Sequence, residues 1–170
     1  MRILALIFAV AMAAPAMAQT GGWISHPAAT AKTGPVVLHF RRGFELGTVP
    51  RTFPVTVTAD NRFILFVNGK RVATGPSTGT IARWRTETVE LAPYLQRGRN
   101  VVAATVWDFV RTGPQAPAGL PAASALPPQV APISQQSAGL GFRLVGGTIS
   151  TGTSGWRVKL DEGHTALNGR

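Results

Sequence analysis

The chain has no cysteine among its 170 residues. That excludes disulfide staples, thiolate nucleophiles and cysteine-ligated metal sites. Acidic side chains are scarce: seven Asp and Glu stand against 17 Lys and Arg, for a net charge of +10. Hydrolysis of a glycosidic bond needs two placed carboxylates. The seven here, Glu45, Asp60, Glu87, Glu90, Asp108, Asp161 and Glu162, form no recognisable paired motif. The three histidines, His26, His39 and His164, are too far apart in sequence for a His-x-x-x-His metal pair. No serine sits in a Gly-x-Ser-x-Gly elbow. Gly146-Gly147 and the stretch from Thr151 to Gly155 lack the lysine and following helix of a phosphate loop. No catalytic constellation, metal or cofactor is therefore expected within this chain. Long basic runs are also missing. Arg41, Arg51, Arg62, Arg71, Arg97, Arg111, Arg143 and Arg157 are scattered, which argues against nucleic acid as a partner despite the charge.

The N-terminus is different. Met1-Arg2 is followed by an apolar run from Ile3 to Ala14 and by the small-x-small site Ala16-Met17-Ala18. This pattern predicts a secretory leader over residues 1–18, cleaved before Gln19, and so a secreted or periplasmic protein. The run is short of the roughly 20 apolar residues of a comfortable membrane span. Nothing later is apolar and long enough to cross a bilayer, so no membrane association is expected after cleavage.

Residues 19–160 read as one β-rich module. Trp23 to Ser25 opens it as a short strand. From Val36 to Leu46, Val36, Leu38 and Phe40 share a face opposite Val37, His39 and Arg41. A bulge is expected at Arg42-Gly43, where the apolar phase breaks. Phe53–Ala59 and Arg62–Val67 flank the polar Asp60-Asn61 link. Asn68-Gly69 then turns the chain into Lys70–Ala73. Asn-Gly between apolar runs is the strongest short-range hairpin signal, because a type I′ turn needs φ > 0 at both central residues. Thr86–Leu91 is expected as a strand and Ala92–Leu95 as a single helical turn, with Pro93 tolerated near its start. Asn100–Phe109 reads as a long strand with Trp107 on an apolar, core-facing side. Residues 111–137 carry six prolines and almost no charge, and read as a long surface loop. Gly139–Val145 and Trp156–Leu160 complete the strands, and 161–170 is a polar tail. Short strands, frequent turns and no βαβ rhythm predict an all-β sandwich.

The order T-A-D-N-R-F-I-L-F-V-N-G-K-R-V-A-T-G-P, then a tryptophan, then T-V-E-L-A-P-Y-L-Q-R-G-R-N-V-V-A-A-T-V-W resembles the N-terminal β-sandwich module of bacterial α-L-rhamnosidase-type glycoside hydrolases. It is more loosely similar to the sugar-binding domain of β-galactosidase-like enzymes. The likeness runs from about Trp23 to Trp156. It implies a jelly-roll, galactose-binding-domain-like fold whose catalytic carboxylates sit in a separate downstream barrel. It further implies carbohydrate and a glycoside hydrolase catalytic domain as partners.

A sugar-binding module of that kind stacks an aromatic ring on a pyranose and surrounds it with hydrogen-bonding groups. Trp84, flanked by Arg83 and Arg85, is the candidate platform, with Asn68, Lys70 and Arg71 at the hairpin tip as candidate donors and acceptors. Each residue also has a plainer role. Trp84 fits an edge aromatic that covers the core, and the turn alone accounts for Asn68. The module is therefore expected to bind carbohydrate or support a catalytic domain. The alternative is a structural or protein-interaction sandwich without sugar affinity. Asp60 and Arg62 are expected to pair across their turn.

Overall fold

A computed structural model describes residues 21–29, 35–77, 79, 84–108 and 140–164 of the chain. The expected leader over residues 1–18, Arg83 and the proline-rich segment 111–137 lie outside the described residues. Among the described residues there are eight strands: β1 (Val36–Leu46), β2 (Pro54–Ala59), β3 (Arg62–Val67), β4 (Lys70–Gly75), β5 (Glu87–Glu90), β6 (Gly98–Asp108), β7 (Phe142–Val145) and β8 (Trp156–Asp161). Three short 3₁₀ turns, Pro27–Ala29, Ala92–Tyr94 and Gly147–Ile149, are the only helical elements described. No helix among them is long and apolar enough to cross a membrane.

The strands form a five-stranded sheet in the order β4-β3-β6-β1-β8 and a three-stranded sheet in the order β5-β2-β7. Every pairing is antiparallel. The protein is an all-β sandwich, as its alternating strands require. The expected strand at Trp23–Ser25 is reduced to a single bridge between Ile24 and Phe142.

The core lies between the sheets. Phe40, Leu38, Phe63, Leu65, Val102 and Val106 point in from the large sheet, and Val55, Val57, Phe142 and Leu144 from the small one. Phe142 is the hub. Its ring stacks on Phe40 at 5.2 Å and meets Trp156 edge-on at 5.7 Å, across from Phe63 at 6.5 Å. Such aromatic pairs add to the burial of their own large area. The adjoining Gly141 has φ +79, and a Cβ there would lie 2.4 Å from the Ile24 carbonyl oxygen. Only glycine lets the incoming N-terminal segment approach β7 so closely.

The Asn68-Gly69 hairpin is as the sequence predicts, with φ of 49° and 81°. Three expectations are corrected. First, β1 has no bulge. It pairs with β6 residue for residue from Val36↔Asp108 to Leu46↔Gly98. Residues 36, 38, 40, 42, 44 and 46 therefore share the inner face, and Arg42 is simply an inward arginine. Burial lowers its pKa, and its guanidinium donates to the carbonyls of Thr148 (2.6 Å) and Ser150 (3.3 Å) and to Thr153 Oγ1. It ties the Gly147–Ile149 turn to the end of the sheet. The irregularity in the sheet lies instead in β4, where Val72 is the extra residue opposite Leu65 and Phe66.

Second, Trp107 faces outward. Asp108, Val106, Ala104 and Val102 take the buried positions of β6, and Trp107 is half-buried on the outer side. Both sides of β6 are apolar in sequence, so alternation alone does not say which one meets the core. Third, Asp60 and Arg62 do not pair with each other. Asp60 is fully buried and accepts from Asn61 Nδ2 and the Leu140 backbone N–H. Arg62 reaches the other way, to the Pro76 carbonyl.

Candidate functional site

The sequence-predicted site residues do not assemble into one place. Asn68 and Trp84 belong to opposite ends of the sandwich. Asn68 follows β3, while Trp84 sits over Thr58 beside the β2–β3 turn, about 20 Å away along a six-residue strand.

Asn68 is consumed by the fold. Its Oδ1 accepts from Val101 N (2.9 Å), and its Nδ2 donates to the Tyr94 carbonyl and to Asn100 Oδ1, each at 2.9 Å. Asn100, wholly buried, returns Nδ2 to the carbonyls of Gln96 (2.7 Å) and Gly98 (2.9 Å). Two carboxamides thus lock the hairpin tip, the Ala92–Tyr94 turn and the start of β6 together. Lys70 and Arg71 remain exposed beside it.

Trp84 is half-buried on the outer face of the small sheet. Its indole N–H donates to Thr58 Oγ1 at 2.8 Å, and Thr58 donates in turn to the Arg85 carbonyl at 2.7 Å. Trp23 meets it edge-on at 5.3 Å. The two rings act as a lid on that face. Arg85 itself is exposed.

A better arrangement for a ligand lies elsewhere. Where β3 begins and β6 ends, Arg62 and Trp107 are directly paired on the outer face of the large sheet. Beside them runs an open groove of about 410 Å³, lined among others by Arg62, Ile64, Thr74, Ser77, Glu87 and Trp107. Glu87 Oε1 accepts from Ser77 N (2.8 Å) and Ser77 Oγ (2.9 Å), which holds the carboxylate at the rim. Arg62 is anchored through Pro76. Trp107 makes no hydrogen bond to the described residues through its indole N–H. An aromatic face, a guanidinium, a carboxylate and two hydroxyls around one groove suit a polyhydroxylated ligand with an apolar face. Among the described residues the groove lining holds one carboxylate, Glu87, and glycosidic hydrolysis by the usual routes needs two.

The sequence signal for this site is present but divided. In the sequence, Arg62 reads as half of a turn pair and Trp107 as core. Only the β3–β6 register makes them neighbours.

A second polar array lies on the same outer face. Thr105 Oγ1 is 3.3 Å from His39 Nδ1, and His39 Nε2 is 2.7 Å from Asp161 Oδ2. His164 Nδ1 approaches the same oxygen at 2.9 Å. The hydrogen bond from His39, then that from the Gly163 backbone, hold the Asp161 pKa down to about 2. A hydroxyl, an imidazole and a carboxylate in line have the parts of a nucleophilic triad. In mid-sheet, β1 spends its backbone N–H groups on β6 and β8, so this strand offers no free pair of backbone donors to an oxyanion. The array is a cross-strand polar ladder. Among the described residues, no group of three or more His, Cys, Asp or Glu has the arrangement to hold a metal ion.

No family model and no curated protein matches the chain. Among solved structures it is similar to the GH78-family rhamnosidase of Bacillus sp. GL1, with a TM-score of 0.57 and 19% identity, over 85% of this chain and 14% of that one. The α-L-rhamnosidase of Streptomyces avermitilis, solved with L-rhamnose, is another neighbour at 17% identity and a TM-score of 0.40, over 88% of this chain and 14% of that one. The chain thus shares its sandwich fold with a small part of a rhamnosidase, and it spans only that minor share of the enzyme's length.

Proposed function

We propose that this protein is an exported, non-catalytic β-sandwich module of an α-L-rhamnosidase-type glycoside hydrolase system, and that it contacts carbohydrate through the Trp107 groove. The observation that carries the reading is the groove itself. The half-buried Trp107 ring and Ile64 offer an apolar wall, and Arg62, Thr74, Ser77 and Glu87 offer polar groups around it. Stacking on an aromatic face with a few convergent polar contacts is the physical basis of sugar recognition. The fold likeness to part of a rhamnosidase supports the same reading. Catalysis in such a system belongs to another domain, for which this sandwich is the carbohydrate-contacting partner.

The test is a titration of the purified chain with rhamnose, galactose and their oligomers, followed by tryptophan fluorescence. A saturable change that is lost in Trp107→Ala and kept in Trp84→Phe supports the reading. A folded protein with no response to any sugar overturns it and favours a purely supporting role. Export is checked separately: the chain recovered outside the cytoplasm should begin at Gln19.

A further inference from the structure

The outer face of the large sheet carries a second feature that the groove does not use. Arg41 lies in the middle of β1 and Arg157 directly opposite it on β8. Arg99, at the start of β6, closes the third side. Between them is a shallow depression of about 270 Å³ lined by Arg41, Gly43, Arg99, Gly155 and Arg157. Its floor is open because Gly43 has no side chain: a Cβ there would meet nothing nearer than the Asn100 carbonyl oxygen at 3.9 Å. All three arginines are exposed. None of their guanidinium groups makes a hydrogen bond or an ion pair among the described residues. Glu45 is the nearest acidic position on this face, opposite Arg99 in the register, and it is not part of the lining. Lys159 follows Arg157 on the same side of β8.

Like charges placed directly opposite across two strands destabilise a sheet. Three unpartnered guanidiniums around an open floor are relieved by an oxyanion, which arginine takes in a two-point fork. We infer that this depression binds the carboxylate of an acidic polysaccharide. The saccharide part of that assignment rests on the sugar-contacting reading of the Trp107 groove. The two features share one face: Trp107 pairs with Val37, and Arg41 lies four residues further along β1, about 13 Å away. One extended chain of sugars with acidic units therefore reaches both. Nucleic acid is the weaker fit, because the patch is a local cluster and not a basic stripe along the face.

The experiment measures binding of the purified chain to a polygalacturonate oligomer, to a neutral oligosaccharide of equal length, to a heparin-type sulfated oligosaccharide and to duplex DNA, each at two salt concentrations. The uronate oligomer should bind more tightly than the neutral one and weaken as salt rises. Each of Arg41→Gln, Arg99→Gln and Arg157→Gln should weaken it about fivefold, the scale of one exposed charge contact, and the triple variant should abolish the preference for the uronate. Gly43→Glu, which fills the floor with a negative charge and leaves the arginines in place, should do the same. Equal binding of uronate and neutral oligomers, or a uronate preference that survives the triple variant, overturns the inference. Tighter binding of DNA or of the sulfated oligosaccharide than of the uronate overturns the carboxylate assignment. If Trp107→Ala has no effect while the arginine variants do, the groove reading falls and the anion site stands.

Discussion

The two outer faces of this sandwich are built from similar residues and end in opposite states. On the small sheet, Trp84 and Trp23 meet edge-on and the Trp84 indole N–H is spent on Thr58. On the large sheet, Trp107 keeps its N–H unspent among the described residues and borders an open groove, and three arginines stand around an open depression. A tryptophan beside arginines is therefore not a site in itself. What separates platform from lid is whether the ring's own N–H is already satisfied by the fold and whether an open groove borders the ring.

The largest test of that contrast strikes what the faces share. Phe142→Ala removes the ring that joins the two sheets and should cost about 3–5 kcal/mol in urea unfolding, lowering stability and binding together. Asn100→Leu strips the carboxamide that serves Asn68, Gln96 and Gly98 and should cost about 2–3 kcal/mol. The protein that still folds should keep its groove, because the lock lies at the far end of β3. Trp84→Phe deletes one partly buried hydrogen bond and should cost about 1 kcal/mol with no loss of sugar response. Trp107→Phe should do the reverse: stability within about 0.5 kcal/mol of the parent and a sugar response weakened at least about tenfold. If those two outcomes are exchanged, the small-sheet face is the platform and the contrast is inverted.

The smallest effect is electrostatic. Asp161 is held to about 2 by His39 and the Gly163 backbone, below the ordinary value of about 3.9. A depressed carboxylate stabilises the fold fully above its unfolded pKa and loses that contribution as pH falls through its folded one. Unfolding midpoints should therefore drop between about pH 4 and pH 2. The drop should be shallower in His39→Ala than in the parent, and equal slopes would remove His39 as the cause.

Part of this architecture is legible in the sequence. The hairpin at Asn68-Gly69 is a local property: two residues with positive φ between apolar runs admit few alternatives. The β2 strand is legible for a similar reason, since Val55 and Val57 alternate with Thr56 and Thr58, and β3 is legible as a strand from its aromatic and β-branched run, which is apolar on both sides. The candidate site is mostly not legible. Arg42 reads as a break in phase because an inward arginine looks like a polar interruption, and only the Thr148 and Ser150 carbonyls that receive it explain its place. Trp107 reads as core because its strand is apolar on both sides. Asn68 reads as a turn residue and candidate sugar contact, and its bonds to the Tyr94 carbonyl and Asn100 are hidden because those groups are distant in sequence.

The sequence by itself determined the strand rhythm, the turn chemistry, the absence of any cysteine-based chemistry and the surplus of positive charge, because each depends on single residues or near neighbours. The tertiary structure decided which side of β6 meets the core, which tryptophan is capped, and that Arg41, Arg99 and Arg157 surround one depression. Those are consequences of register between strands far apart in the chain, and a shift of one residue in that register would send each of these side chains to the other face.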